Sequence, residues 1–196
     1  MTYTATKAVF EQLFNNEMEK TTARNFLVAM YDRGETVEEI TAAAEVMRAH
    51  SVKLDIKEEL QDKLLDIVGT GGDKSGSFNI SSTCSLILAS ADAYVAKHGN
   101  RSITSNSGSA DMLEAIGIRL DLDVNQQTTL LEETGFTFLF AGNHHPAMKH
   151  IIPIRKSIPH RTIFNILGPL TNPAGVKKQF VGSYDKEFVS PMAQVL

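Results

Sequence analysis

Apolar residues recur with a helical period in the N-terminal part of the chain. Ala23, Phe26, Leu27, Met30 and Tyr31 fall at i, i+3, i+4, i+7 and i+8, which places them on one face of an α-helix. Gly34, just past Arg33, supplies a stop. Thr36-Val37-Glu38-Glu39 then has the capping-box pattern, and Val37, Ile40, Ala44 and Met47 continue an apolar face behind it. An earlier helix carries Val9, Phe10, Leu13 and Phe14, and a fourth is expected to include Leu60, Leu64 and Leu65. Residues 5 to 64 therefore predict a small helical bundle whose apolar faces bury one another. No chemistry is visible in it, and it reads as scaffold or dimer surface.

From Leu65 onward short apolar strands alternate with helical patterns. Ile67-Val68, Tyr94-Val95-Ala96, Phe136 to Phe140 and Gln179-Phe180-Val181 are strand-like. Helical patterns cover Ser82 to Ala93, Ser109 to Gly117, Val124 to Thr134 and Ala147 to Ser157, and another helix begins at Glu187. Such alternation predicts the α/β class with a largely parallel sheet. Gly69, His98 and Ala141 each follow the carboxyl end of a strand, where open α/β sheets place ligands. Three loops are thus expected to converge on one crevice. The chain stops at Leu196 inside a helical pattern, which makes the α/β layer look unfinished.

Composition narrows the partners. The 196 residues are 42% hydrophobic and 21% charged, a normal balance for a soluble globular protein. A net charge of −4 opposes a general role in binding nucleic acid or membrane surfaces. Cys84 is the only cysteine, so no intramolecular disulfide forms, and it is expected to be a small buried side chain in a helix. The N-terminus lacks a signal-peptide pattern, and charges and glycines interrupt every apolar run. A cytoplasmic location is expected.

The chemistry concentrates after the strands. Asp66-Ile67-Val68-Gly69-Thr70-Gly71-Gly72-Asp73 runs from a strand into a glycine loop, and Ser77-Phe78-Asn79-Ile80-Ser81-Ser82 opens a helix. Backbone N–H groups and a helix N-terminus then face one spot, as in anion sites. Lys74 where the dinucleotide fingerprint needs glycine, and Asp73 ahead of Lys74-Ser75 where the P-loop needs glycine, exclude both of those motifs. Lys97-His98-Gly99-Asn100-Arg101-Ser102 adds two cations and an amide behind a second strand, and Ser105 to Asp111 repeats glycine and hydroxyls before a helix. No His-Glu-x-x-His zinc pattern is present, and His50 and His160 read as ordinary structural or surface histidines.

GTGGD, FNIS, KHGNRS, SGSAD, HPAMK and RTIFNILGPLTNP occur in this order at spacings that resemble the anthranilate phosphoribosyltransferase family. The resemblance spans essentially the whole chain. It implies an N-terminal helical domain, residues 1–64, completed by later segments around 145–175, and an α/β domain from 65 to 196 like that of the nucleoside phosphorylases. It also implies a homodimer. By matching position, phosphoribosyl pyrophosphate would be held by Gly69, Gly72, Asp73, Ser77, Asn79, Ile80, Ser81 and Ser82, by the loop Lys97, His98, Gly99, Asn100, Arg101, Ser102, Ile103, Thr104 and Ser105, and by Ser109. Ser81 would be a ligand of Mg2+, the implied cofactor. Asn100 and Arg155 would hold anthranilate, with Gly69, His98 and His145 beside its path. No residue is implied as a protein nucleophile.

The implied reaction displaces pyrophosphate from the ribose C1 by the aromatic amine, through a transition state of oxocarbenium character. The chain departs from the family pattern in hydroxyl exchanges at Ser82 and Thr104 and at Pro159, where many members have glycine; proline fixes φ and removes a donor beside Arg155. Family members also continue past Leu196, and the acidic pair that binds Mg2+ lies in that part. A C-terminally truncated chain with weak or no turnover is the expectation. The competing readings are a non-catalytic ligand- or nucleic-acid-binding relative on the same scaffold and, among enzymes, a nucleoside phosphorylase, whose characteristic loops are absent.

Overall fold

A computed structural model describes residues 1–71, 78–102 and 107–196. The first elements are α1 (Tyr3–Phe14), α2 (Lys20–Arg33), α3 (Val37–Ala49) and α4 (Glu58–Gln61). Then come β1 (Leu64–Gly69), α5 (Ile80–Ser90), β2 (Tyr94–Gly99), α6 (Ser109–Ala115), α7 (Val124–Thr134) and β3 (Phe136–Phe140). The last are α8 (Ala141–His144), α9 (Met148–Lys156), α10 (Phe164–Leu167), β4 (Lys178–Gly182) and α11 (Val189–Val195). None of the described helices is long and apolar enough to cross a membrane.

The chain divides into two compact units: Met1–Ser51 with His145–Thr171 and Asp185–Leu196, and Val52–His144 with Asn172–Tyr184. The division falls at Ser51/Val52, not at the boundary of 64/65 that periodicity suggests. The reason is burial: Leu54 belongs to one apolar cluster with Leu64, Ala96, Leu131, Leu139 and Ala174. The last twelve residues, 185–196, group with the helices instead of the sheet.

The helical unit is built on the predicted stripes. Phe10, Ala23, Leu27 and Ile40 are completely buried. The returning segment adds Phe164, whose ring lies 6.1 Å from Phe10 and 6.2 Å from Phe14, and Phe26 meets Phe10 edge-on at 5.8 Å. The capping box of α3 forms as read: Glu39 N donates to Thr36 Oγ1 at 3.3 Å and Thr36 N donates to Glu39 Oε2 at 3.0 Å. The fully buried Glu39 carboxylate also takes Arg33 Nη2, at 2.8 and 2.9 Å to its two oxygens, and the N-terminal ammonium of Met1. Burial pushes this carboxyl up, but the N-terminal ammonium, the Thr36 amide and Arg33 outweigh it and hold its pKa at about 2.

The α/β unit carries a four-stranded sheet in the order β3-β2-β1-β4, parallel throughout. Leu64 and Leu65 are strand residues of β1, so the fourth helix expected there is confined to α4. Burial on both faces of a parallel sheet, a tertiary effect, overrides the helical spacing of these leucines. One face buries Leu64, Ala96, Leu131 and Leu139; the other buries Val95, Ala110, Leu113 and Phe138. Between α7 and β3, Gly135 adopts φ +72°, and a Cβ there would lie 2.9 Å from Ala93 O. Glycine is required at that turn. Cys84 is half-buried, not buried, because α5 turns Ser82 and Ser85 inward instead.

Glu39→Gln is expected to lower the unfolding free energy of the helical unit by roughly 1–3 kcal/mol, since it strips the charge from three donors at once. The folded pKa lies below the ordinary value of 4.5, so the stabilisation is present above that value and is lost as pH falls through about 2. Urea titrations between pH 5 and pH 2, within about a unit of those limits, should show a steeper loss for the wild type than for Glu39→Gln; parallel slopes would refute the assignment.

Candidate active site

The site is framed by the carboxyl ends of the strands. Gly69 is in register with Gly182, and Gly99 with Phe140, so β1 ends level with β4 and β2 level with β3. Beyond β1, Thr70 N donates to Gly182 O at 2.9 Å and Thr70 Oγ1 accepts from Tyr184 N at 2.9 Å. The first turn of the glycine loop is thereby moored to the segment after β4. Gly71 follows at φ +65°, a conformation glycine adopts without strain.

A buried cation stands beside this loop. Lys97 is only 1% exposed, and its ammonium donates to Ile67 O at 2.6 Å and to Ser81 Oγ at 3.5 Å. Burial pushes the Lys97 pKa down, and the nearby Asp66 and Cys84 draw it back up. Ser81 and Ser82 lie in the opening turn of α5, where backbone amides have no intrahelical acceptor. The Ser82 hydroxyl is buried and has no hydrogen-bond partner among the described residues. The buried ammonium and the hydroxyl of Ser81 thus meet at the start of α5, where helix amides favour negative charge.

The loop after β2 is tied to α6. Asp111 accepts from Ser102 N at 3.0 Å and from Gly108 N at 2.8 Å, closing the loop at both ends. Ala110 N donates to Asn100 O at 3.2 Å, and Asn79 Nδ2 reaches Ser107 Oγ at 3.1 Å, linking this loop to the start of α5. Gly108 packs so tightly that a Cβ would lie 2.3 Å from Ser102 N and 2.7 Å from Arg101 C. Arg101, read as a phosphate ligand, is here paired with Asp111 at 3.0 Å and Glu114 at 2.8 Å, with its guanidinium over the Phe140 ring. The Asn100 side-chain carbonyl accepts from Arg101 N at 2.8 Å.

The expected site residues therefore distribute unevenly. Gly69, Asn79, Ile80, Ser81, Ser82, Lys97, His98, Gly99, Asn100, Arg101, Ser102 and Ser109 all belong to the α/β unit, at the carboxyl ends of β1 and β2, in the segments that follow them and at the starts of α5 and α6. Gly72, Asp73, Ser77, Ile103, Thr104 and Ser105 lie outside the described residues. His145 and Arg155 belong to the helical unit. His145 is buried, whereas Arg155 stands at the end of α9 with its guanidinium 5.4 Å from the Phe164 ring centre and no ion-pair partner among the described residues. Burial lowers its pKa, so the charge is poorly solvated where it stands.

Two residues, Asp66 and Asn172, escaped the sequence reading. Asp66 is fully buried, accepting from His98 N at 3.2 Å and from Asn172 Nδ2 at 2.8 Å. Burial pushes its pKa up to about 6, against the pull of Asn172, Lys97, the His98 amide and Gln179. An ionisable residue inside an apolar strand was the available signal. For magnesium, no group of three His, Cys, Asp or Glu side chains could hold a metal among the described residues. The Ser81 hydroxyl is an oxygen ligand of the kind Mg2+ takes alongside phosphate and water.

A helical bundle joined to a parallel α/β layer is the architecture of one glycosyl transferase family. Residues 61–196 match the glycosyl transferase family, a/b domain, and residues 1–51 match the helical bundle domain of the same family; the chain belongs to this family. More particularly, it is 48% identical over 189 residues to the anthranilate phosphoribosyltransferase of Bradyrhizobium sp. (strain ORS 278), covering 96% of this chain and 55% of that protein. The crystal structure of anthranilate phosphoribosyltransferase from Thermus thermophilus superposes with a TM-score of 0.94 at 42% identity, over 100% of this chain and 58% of that one. The enzyme from Saccharomyces cerevisiae in complex with PRPP and Mg gives 0.85 at 30% identity, over 96% and 55% of the two chains. The chain thus spans about half the length of the relatives it matches.

Gly108→Ala is expected to abolish anion binding at this end of the sheet while leaving the helical unit folded, because the added methyl must displace backbone at Arg101 and Ser102. Circular dichroism with calorimetric titration of pyrophosphate would check it. Lys97→Met should lower stability, since it leaves the buried Asp66 carboxylate without its nearby cation, and should weaken pyrophosphate binding at least tenfold. A folded variant that still binds normally would exclude Lys97 from the anion site.

Proposed function

We propose that the chain carries the phosphoribosyl pyrophosphate-binding end of an anthranilate phosphoribosyltransferase of tryptophan biosynthesis. The observation that carries this reading is the buried Lys97 ammonium beside the Ser81 hydroxyl at the start of α5. A desolvated cation is expensive in a fold that needs only apolar contacts there, and a diphosphate offsets that cost. The relatives' printed activity and the magnesium complex of the yeast enzyme support the same assignment.

In the proposed reaction the anthranilate amine forms a bond to the ribose C1 as the C1–O bond to pyrophosphate breaks. The leaving oxygen takes the electron pair, and the amine sheds a proton to give N-(5-phosphoribosyl)anthranilate. Lys97 and the amides at the start of α5 stabilise the charge that grows on the pyrophosphate. Magnesium bound with the diphosphate would supply further neutralisation there, and Ser81 would be one of the residues holding it. Arg155, a guanidinium backed by Phe164 and without an acidic partner among the described residues, suits a planar carboxylate such as that of anthranilate. Positioning accounts for the remainder of the rate, and no covalent enzyme intermediate is invoked. A homodimer accompanies the assignment.

Calorimetry of the full 196-residue chain with phosphoribosyl pyrophosphate and magnesium, with anthranilate, and with single-stranded DNA tests this reading. Saturable binding of phosphoribosyl pyrophosphate is expected, with Arg155→Lys weakening anthranilate about tenfold and sparing phosphoribosyl pyrophosphate. Binding of DNA alone would overturn it in favour of a non-catalytic nucleic-acid binder.

A further inference from the structure

The β1 and β2 strands pair in register only at Leu64↔Tyr94 and Leu65↔Val95, although both strands continue further. Beyond that point side chains take backbone groups of β2. His98 N donates to Asp66 Oδ1 at 3.2 Å, and Ala96 O accepts from Asn172 Nδ2 at 2.8 Å. These are the backbone groups on either side of Lys97. Asn172 also donates to Asp66 Oδ2 at 2.8 Å, and its own Oδ1 accepts from Ala174 N at 2.8 Å. Both carboxylate oxygens and both ends of the amide are therefore used, in a site where Asp66 is 0% and Asn172 6% exposed.

Ordinary sheet pairing would need neither group. A buried carboxylate is costlier than a continued backbone ladder, and an apolar residue at 66 would pack at lower cost. What the two side chains add is anchorage: they take His98 N and Ala96 O and tie both to β1 and to Asn172. The Lys97 side chain, between these two groups in sequence, reaches Ile67 O and Ser81. We propose that Asp66 and Asn172 are positioning residues, a buried clamp that ties the carboxyl ends of β1 and β2 to each other beyond their last register pair and sets Lys97 and the loop behind it for a diphosphate. This rests on the reading of the Lys97–Ser81 end as the phosphoribosyl pyrophosphate site.

Asp66→Asn sets an amide against the Asn172 amide, and Asn172→Asp sets a carboxylate against the Asp66 carboxylate. The double exchange Asp66→Asn/Asn172→Asp restores one donor–acceptor pair across the clamp but loses the donor to Ala96 O. Each single variant is expected to weaken phosphoribosyl pyrophosphate binding at least tenfold, with the double exchange recovering part of that loss. The His98 amide, followed by NMR, should move upfield and exchange faster in both single variants without any ligand. In Lys97→Met its exchange should stay slow, because that change leaves the hydrogen bond to Asp66 in place. If the wild type binds phosphoribosyl pyrophosphate and Asp66→Asn binds it equally well, the clamp is refuted and the functional reading stands. If the wild type does not bind it, both fall. If all the clamp variants fail to fold, the pair serves stability and the positioning role is refuted.

Discussion

A lysine ammonium held inside a parallel sheet is the constraint on which the functional end of this protein depends. Lys97 projects from the second strand into a region walled by α5, and its charge is met by Ile67 O and the Ser81 hydroxyl instead of by water. A buried charge survives only when hydrogen bonds and an opposite charge offset its desolvation. Here the offset is distributed. Two oxygens meet the ammonium directly, while Asp66, itself fully buried and hydrogen-bonded, supplies the negative charge. The unit stores, in its own interior, the electrostatic field that a polyanionic substrate would complete.

The surrounding loops are fixed by polar groups in the same way. Thr70 is moored through its backbone and its hydroxyl to the segment after β4, so the glycine loop leaves the sheet in a set direction. Asp111 plays the matching part for the second loop, taking amides from both of its ends. Neither mooring needs substrate. Arg101, by contrast, is engaged by the carboxylates of α6, and engaging a phosphate would mean competing with two acids at its side. Of the cations in this loop, Lys97 is the one already committed to the interior.

The helical unit answers to a different requirement. Its apolar stripes were legible because α1, α2 and α3 each bury one face, and the capping box at Thr36 marked where α3 starts. Periodicity did not reveal that Phe164, far along the chain, would pack against the rings of Phe10 and Phe14. Arg155, backed by that same Phe164, was reached through family resemblance and not through any local pattern. Leu64 and Leu65 were misread for a related reason. Their spacing fits a helix, and only burial on both sides of a sheet makes them a strand.

By itself the sequence determined most of the element types, the loops after β1 and β2 and the family, because helical and strand periods, glycines and hydroxyl runs are local features carried by neighbouring residues; the third expected loop, at Ala141, is instead the helix α8 that follows β3 directly. Tertiary structure decided where the units divide, which cation is buried and what keeps it charged. Asp66, Lys97 and Asn172 are distant in the chain, and nothing in the local sequence around any of them names the other two. Their coupling arises from parallel strand order, which brings the ends of β1 and β2 together and returns Asn172 beneath them. Desolvation and hydrogen-bond geometry are properties of that assembled neighbourhood, so the chemistry of the site became readable only once the sheet was formed.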